Sequence, residues 1–147
     1  MAATAGHRLA IEELNAWVAL CLDHQLYDRL AEAFTDDARY VSGGRTLTGG
    51  QGIARHFIER AAAGGPRTTR HMHSGLRLRF GDDGRTARGA SVCVCYAANA
   101  PAPAEQAAPY MVADFEDVYV LQADGFWRIG ERVIRPVLRN ASLAPGA

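Results

Sequence analysis

The chain has 147 residues, 48% of them hydrophobic and 22% charged, and its formal net charge at pH 7 is zero. These values are typical of a globular protein with one core and room for one enclosed pocket. The neutral balance, with no basic run, disfavours a nucleic-acid or membrane-surface partner. Because all 16 basic residues are arginine, catalysis that needs a lysine is excluded. We predict a single domain over residues 1–147, with its core at about residues 8–138.

Three helical segments are predicted in the first half of the chain. Residues 8–23 carry one apolar stripe at helical spacing, and residues 25–34 form a second helical pattern. A short strand is predicted at residues 39–42. A third helix is predicted to begin with a capping box of Thr48 and Gln51 and to end at the following “GGP”.

Four long strands are predicted in the second half of the chain, at residues 69–80, 86–97, 110–121 and 126–138. The turn signals “GDDG” and “ADG” join the first of these strands to the second and the third to the fourth. Helices followed by long antiparallel strands predict an α+β fold, in which a curved, mostly antiparallel sheet wraps around about three N-terminal helices. Such a sheet encloses a conical pocket.

The cysteines and the N-terminus predict a cytoplasmic protein. Cys93 and Cys95 would lie about 7 Å apart on one face of a strand, which is a poor geometry for a disulfide. The spacing also offers too few ligands for zinc, and we interpret both as small buried core thiols. The first residues, “MAATAGHRLA”, lack the pattern of a signal peptide, and no apolar run is long enough to span a membrane.

The stretch “TTRHMHSGLRLRF” contains two candidate site residues. His71 and His73 share strand parity with Gly75 and with two arginines, so a regular strand would place them on a polar face as surface histidines. A bulge at Gly75 would reverse this parity and turn His71 into the pocket. We expect the bulge, with His73 lining the pocket beside His71.

Four motifs carry a resemblance to a known family. The segments “CLDHQLYDRLAEAFTDDARY”, “LTGGQGIARHF”, “RTTRH” and “FEDVYVLQADGFWRIGERVIR” resemble, in this order, the SnoaL-like branch of the nuclear-transport-factor-2-like superfamily. The match covers roughly residues 8–136 and implies the cystatin-like cone fold of that superfamily. The superfamily contains dehydratases, isomerases, polyketide cyclases, other lyases and non-catalytic subunits, so the fold alone does not fix the function.

At the site, the chain resembles scytalone dehydratase and hexachlorocyclohexane dehydrochlorinase. The resemblance implies a catalytic Asp–His pair formed by Asp23 in “CLDHQ” and His71 in “RTTRH”. It also implies that Tyr40 binds or polarises the substrate and that Glu116 falls near a substrate-binding asparagine. Helical periodicity alone points Asp23 away from the apolar stripe, toward solvent. Ser42 stands where ketosteroid isomerase has its general base, so the resemblance does not support that mechanism.

Large side chains supply the remaining pocket candidates. Trp17 and Phe57 are expected to form walls, and Arg132 on the last strand could reach a substrate. Asp117 could instead form a structural pair with an arginine of that strand.

These residues predict a proton-transfer enzyme. An imidazole with an ordinary pKa near 6.5 is a usable base at neutral pH, and a carboxylate on its other nitrogen fixes its tautomer. We therefore expect a cofactor-independent lyase, dehydratase or cyclase that needs no metal and acts on a small, mostly apolar cyclic molecule. The alternatives are a ketosteroid-isomerase-type isomerase or a non-catalytic small subunit of the ring-hydroxylating dioxygenase type. Apolar residues on the outer sheet face favour a homodimer or homotrimer.

Overall fold

One curved, unclosed sheet of six strands carries the helices on its inner face. The computed structural model describes residues 2–105 and 108–147. In chain order the elements are α1 (Ala2–Asp23), a 3-10 helix (Tyr27–Ala33), β1 (Phe34–Ser42), β2 (Arg45–Thr48), α2 (Gly50–Ala63), β3 (Thr68–Phe80), β4 (Thr86–Ala98), β5 (Met111–Leu121), β6 (Trp127–Arg139) and a short 3-10 turn (Ala141–Leu143). The strand order is β2-β1-β6-β5-β4-β3. Among the described strands, only β1 and β6 pair in parallel, and the predicted α+β fold is confirmed.

The first half of the chain departs from the prediction at three places. The second helix is a 3-10 helix. β1 begins five residues earlier than expected, and it forms a hairpin with β2, a strand that the sequence pattern did not predict. The capping box is also wrong. The residue before α2 is Gly49, which makes no side-chain cap. Its φ is +74°, and a Cβ there would lie 2.6 Å from the carbonyl oxygen of Asp36, so only glycine fits this close approach.

The core lies between the helices and the inner sheet face, in two clusters. The larger cluster includes Ile11 and Val18 of α1, Ile53 of α2 and Ile129 of β6, all of them almost fully buried. Burying each such side chain stabilises the fold by about 1.5–3 kcal/mol. The smaller cluster is centred on Phe115 of β5. Side chains of both clusters line the cavity described below, so the cavity lies between them.

The bulge expected in β3 is confirmed. The register of β3 against β4 shifts between Ser74 and Arg77, and Gly75 has a φ of +65°, which favours glycine. The alternation of inward and outward side chains therefore reverses at this point. His71 and His73 are half-buried on the inner face, whereas Met72 between them is 50% exposed on the outer face.

Within the described residues, no helix combines the length and the apolar character needed to cross a membrane.

Candidate active site

The end of α1 meets the start of β3 in a buried Asp–His pair. The Asp23 carboxylate lies 2.6 Å from Nδ1 of His71 and accepts a 2.9 Å hydrogen bond from the backbone N–H of the same residue. The hydroxyl of Thr69 donates a third hydrogen bond of 2.8 Å to the carboxylate. Asp23 has only 7% of its side chain exposed, although helical periodicity points it toward solvent. Its burial comes from β3, which covers the end of the helix.

This contact shifts the pKa values of both partners in opposite directions. Burial raises the pKa of Asp23, but hydrogen bonds from the ring and backbone of His71 outweigh burial and hold the pKa below its ordinary value. Burial lowers the pKa of His71, but the hydrogen bond to Asp23, with a contribution from Cys95, outweighs it and raises the pKa to about 9. The expectation of an ordinary imidazole pKa is therefore wrong. At neutral pH the resting pair is mainly an imidazolium and a carboxylate.

The second histidine of β3 has the opposite electrostatic character. Burial, reinforced by the positive charge of Arg132, lowers the pKa of His73 to about 4, so its ring is neutral near pH 7. The ring packs edge-on against Phe115, with the two ring centres 4.8 Å apart. Its Nδ1 is the one buried side-chain nitrogen or oxygen of the described residues without a hydrogen-bond partner.

A buried polar network fixes Arg132 against the inner face of the sheet. Its Nε and Nη2 donate hydrogen bonds of 2.8 and 2.9 Å to the two oxygens of the Asp117 carboxylate. Nη2 also donates to the side-chain oxygen of Asn15. The hydroxyl of Tyr119 donates to Asp117 at 2.7 Å and accepts from Asn15 at 2.9 Å. Burial lowers the pKa of Arg132, but the Asp117 carboxylate outweighs it, and the net effect raises the pKa of an already permanent cation.

His71, His73 and Arg132 line one cavity of about 620 Å³. Tyr40, which is 8% exposed, and Phe57, which is 6% exposed, form part of its wall. Burial raises the pKa of Tyr40, so its hydroxyl stays protonated. Asp23 itself lies behind His71 and is not a lining residue. The volume is within the usual range for a site that encloses a small ligand.

Comparison with known proteins identifies the family. A family model described as a SnoaL-like domain matches residues 3–133. The chain belongs to the SnoaL-like family. No curated protein matches the sequence of this SnoaL-like protein.

Solved structures show the same fold as this SnoaL-like protein at low sequence identity. A protein described as a scytalone dehydratase, from Novosphingobium aromaticivorans, is 20% identical over 92% of this chain and 87% of its own, with a TM-score of 0.77. The hexachlorocyclohexane dehydrochlorinase LinA-type3 from Novosphingobium barchaimii is 22% identical over 97% and 92%, with a TM-score of 0.75. A protein from Catenulispora acidiphila in complex with S-DNPA is 20% identical over 90% and 94%, with a TM-score of 0.73.

Two residues expected at the pocket of this SnoaL-like protein do not lie there. Glu116 is on the outer sheet face, 57% exposed, and forms an ion pair of 3.3 Å with Arg135. Strand alternation requires this, because its neighbour Phe115 points inward. Trp17 does not line the cavity, and the guanidinium of Arg29 stacks 4.7 Å from the centre of its ring. It precedes the inward Val18 by one helical position, so it points about 100° away.

Several residues of the site were not predicted from the sequence. Asn15 follows Ile11 by four residues and precedes Val18 by three, so a polar residue inside the apolar stripe of α1 was the available signal. Cys93 and Cys95 are free and buried, as expected, but they also line the cavity. Each is the cross-strand partner of a β3 histidine. Among the described residues, no group of three or more His, Cys, Asp or Glu side chains could hold a metal ion.

Proposed function

We propose that this SnoaL-like protein is a cofactor-independent lyase, dehydratase or cyclase in which Asp23 and His71 remove a proton from a small cyclic substrate. The observation that supports this most directly is the 2.6 Å contact between the Asp23 carboxylate and Nδ1 of His71. Because Nδ1 is occupied by the carboxylate, Nε2 is the ring nitrogen available to the cavity that His71 lines. The names of two structural neighbours, a scytalone dehydratase and a dehydrochlorinase, agree with lyase chemistry.

The proposed reaction begins with the neutral form of His71. Its Nε2 takes a proton from a carbon next to a carbonyl group. The C–H electron pair forms a C=C double bond, the C=O electron pair moves to the oxygen, and an enolate results. Asp23 stabilises the imidazolium that results. The enolate then expels a leaving group from the neighbouring carbon, or it attacks a second carbonyl carbon of the substrate to close a ring. In the ring closure the C=O electron pair moves to its oxygen, and the alkoxide takes the proton back from His71. In a dehydration, His71 returns its proton to the leaving hydroxyl, so that water departs.

Four further residues are proposed to hold the substrate in this cavity. His73 is neutral, and its Nδ1 is buried without a hydrogen-bond partner. A buried N–H without an acceptor is rarer than a buried lone pair without a donor, so we assign the ring hydrogen to Nε2. Nε2 then donates a hydrogen bond to the carbonyl oxygen, and more strongly to the enolate. The protonated Tyr40 hydroxyl and the Arg132 guanidinium offer additional donors, and Phe57 packs against the apolar ring.

Hydrogen–deuterium exchange into 2-tetralone tests the proton-abstraction step without knowledge of the leaving group. Proton NMR in D₂O would follow loss of the signals of the hydrogens next to the carbonyl. We expect the wild-type protein to accelerate exchange and His71→Gln to reduce the acceleration by about 10²- to 10⁴-fold, because the variant lacks the general base. Glutamine keeps similar bulk, and a cooperative thermal unfolding transition would show that the variant is folded.

The matched control is His56→Gln, which removes another histidine that lines the cavity and should leave exchange unchanged. Equal exchange by the wild-type protein and a folded His71→Gln variant would move the chemistry away from the dyad. No acceleration by the wild-type protein, with 2-tetralone bound, would instead favour a non-catalytic binding protein.

A further inference from the structure

Four arginines that line the cavity, three of them exposed and one half-buried, have no acidic partner. Arg45, Arg60, Arg67 and Arg139 line the cavity together with a single carboxylate, that of Glu59. We call these five residues the mouth. No ion pair involving any of the four arginines is found in residues 2–105 and 108–147. The mouth therefore carries an excess of positive charge on a chain whose formal net charge is zero.

The positive charge of the mouth lowers the pKa values of two groups, His56 and Arg67. Burial lowers the pKa of His56, and the charges of Arg45 and Arg60 lower it further, against the opposing effect of Glu59. Burial also lowers the pKa of Arg67, and Arg60 again adds to the shift. Burial disfavours every charged form, but the part of each shift that comes from the arginines disfavours cations only. The arginine charges would therefore favour an anion near His56 and Arg67.

Two of the mouth arginines are placed by contacts that leave their charge uncompensated. Arg67 donates hydrogen bonds of 2.6 Å to the side-chain oxygen of Asn99 and of 2.8 Å to the carbonyl of Leu143. Its guanidinium also stacks 5.3 Å from the ring centre of Tyr110. Arg60 stacks over Phe57 at 4.7 Å. These partners are neutral, so they orient the guanidinium groups without neutralising them.

Arginines outside the mouth show that carboxylate partners are available in this chain. Arg8 pairs with Glu12 at 2.9 Å, and Arg29 pairs with Glu32 at 3.1 Å. Four like charges gathered around one concave opening repel one another, and the low-dielectric walls of a cleft concentrate their field. An anionic group seated in the mouth would relieve this repulsion and could accept paired hydrogen bonds from a guanidinium.

We propose that the mouth binds an oxyanion of the substrate, so that the substrate is a cyclic acid whose apolar ring enters the cavity and whose anionic group stays at the opening. The inference deepens the proposed function, on which it rests, by naming the substrate class. A carboxylate and a phosphate ester share the required chemistry. The anionic group anchors the molecule while the ring reaches the histidines of β3.

Binding of three matched probes tests the proposal. Isothermal titration calorimetry at neutral pH would compare 2-naphthoate, 2-naphthyl phosphate and the neutral 2-naphthamide. We expect the wild-type protein to bind at least one of the two anions about tenfold more tightly than the amide at low salt. The preference should shrink toward equality in about 0.5 M sodium chloride, because salt screens exposed charges. The better of the two anions distinguishes a carboxylate from a phosphate substrate.

Charge variants locate the effect at the mouth. The double variant Arg45→Gln/Arg60→Gln should lose most of the preference for anions, whereas Glu59→Gln should increase it. Arg67 is left intact, because its contacts with Asn99 and Leu143 also hold the C-terminal segment. The matched control is Arg77→Gln, which removes an exposed arginine of β3 that does not line the cavity and should change nothing.

Equal affinity for all three probes would overturn the proposal, as would an anion preference that survives in the double variant. The result is separable from the catalytic proposal because binding is measured without turnover. In His71→Gln the preference for anions should persist even though exchange into 2-tetralone is lost. If the dyad proves inactive but the anion preference depends on Arg45 and Arg60, the anion site stands and only the chemistry fails.

Discussion

His71 and His73 lie two residues apart on β3 and line the same cavity, yet the pKa of His71 is raised to about 9 and that of His73 is lowered to about 4. The difference comes from their partners. His71 contacts the buried carboxylate of Asp23, whereas burial near the cationic Arg132 governs His73. Two titratable groups whose surroundings separate their pKa values can divide acid–base work between them. We assign proton transfer to His71 and neutral hydrogen bonding to His73.

The pH dependence of the proposed reaction should be alkaline. If neutral His71 is the base, its reactive form becomes dominant only as pH rises through about 9. Between neutral pH and that value, kcat/KM for proton abstraction should rise by about tenfold per pH unit and then level off. The measurement is 2-tetralone exchange across this range, corrected for the rate without protein. A rate that instead falls as pH approaches 9 would assign His71 the role of an acid.

Replacement of Asp23 by asparagine should change the rate and its pH profile together. Asparagine keeps the size of the side chain but removes the charge that raises the pKa of His71, so the alkaline limb should move to lower pH. Loss of tautomer control should lower the plateau rate by about 10²- to 10⁴-fold. Because more of the imidazole is then neutral near pH 7, the loss measured there should be smaller than the loss near pH 9.

Thr69→Val is the matched control for this change. It removes one hydrogen bond to the Asp23 carboxylate and leaves the charge and the shape in place, so its effect on exchange should stay below about tenfold. An Asp23→Asn variant whose profile still rises toward pH 9 would show that another group sets the pKa of the base.

The assignment of His73 can be tested with two substitutions that each keep one nitrogen position. Glutamine places an amide near the position of Nε2, whereas asparagine places one near Nδ1. If Nε2–H donates to the enolate oxygen, His73→Gln should retain most of the 2-tetralone exchange rate. His73→Asn should lose about 10²-fold or more, as expected for a lost oxyanion donor.

Nitrogen NMR of the histidine rings supplies an independent readout of His73. At neutral pH its ring should be neutral, with the hydrogen on Nε2, which a merely structural role would not require. A protonated ring, or a hydrogen on Nδ1, would contradict the assignment. So would equal losses in the glutamine and asparagine variants when both are folded.

Local pattern predicted the long elements of this fold well. The bounds of the four long strands lie within one residue of those predicted, because alternation and turn signals act over a few residues. The bulge could also be anticipated, because a glycine inside a strand often marks a bulge and Gly75 shares the parity of the two histidines. β2 was not predicted, because a four-residue strand beside two glycines carries no clear alternation.

The candidate site depended on contacts between distant segments, which local pattern does not contain. Only the family resemblance points to Asp23 as a site residue, because local pattern does not predict its burial. The strand that buries it is β3, and its partner His71 lies 48 residues further along the chain. The mouth draws its arginines from β2, α2, the residue before β3 and the end of β6. Nothing in the sequence brings these four segments together. Glu116, by contrast, could have been rejected from alternation against Phe115.

The same pKa shifts predict how the stability of the folded protein depends on pH. His71 has a folded pKa of about 9, above its ordinary 6.5. Its contribution is fully present below pH 6.5 and is lost as pH rises through 9. His73 has a folded pKa of about 4, so the folded state resists protonation and loses stability as pH falls from 6.5 to 4. Asp23, with its lowered pKa, adds a further loss at still lower pH. Stability should therefore be greatest near pH 6.5.

Melting temperatures of the wild-type protein and two variants, measured from about pH 4 to pH 9, would separate these contributions. Relative to wild type, His71→Gln should be destabilised by a few degrees near pH 6, with the difference shrinking toward pH 9, because the variant lacks the group whose protonation favours folding. The melting temperature of His73→Gln should differ least from that of wild type near pH 7. Between pH 6.5 and 4 it should fall less than that of wild type, because the variant lacks the imidazole that takes up a proton when the wild-type protein unfolds. His24→Gln, which changes an exposed histidine, should follow the wild-type curve throughout. A His71→Gln difference that stays constant with pH would show that the histidine contributes packing and no linked proton, and the imidazolium–carboxylate pair would then have to be abandoned.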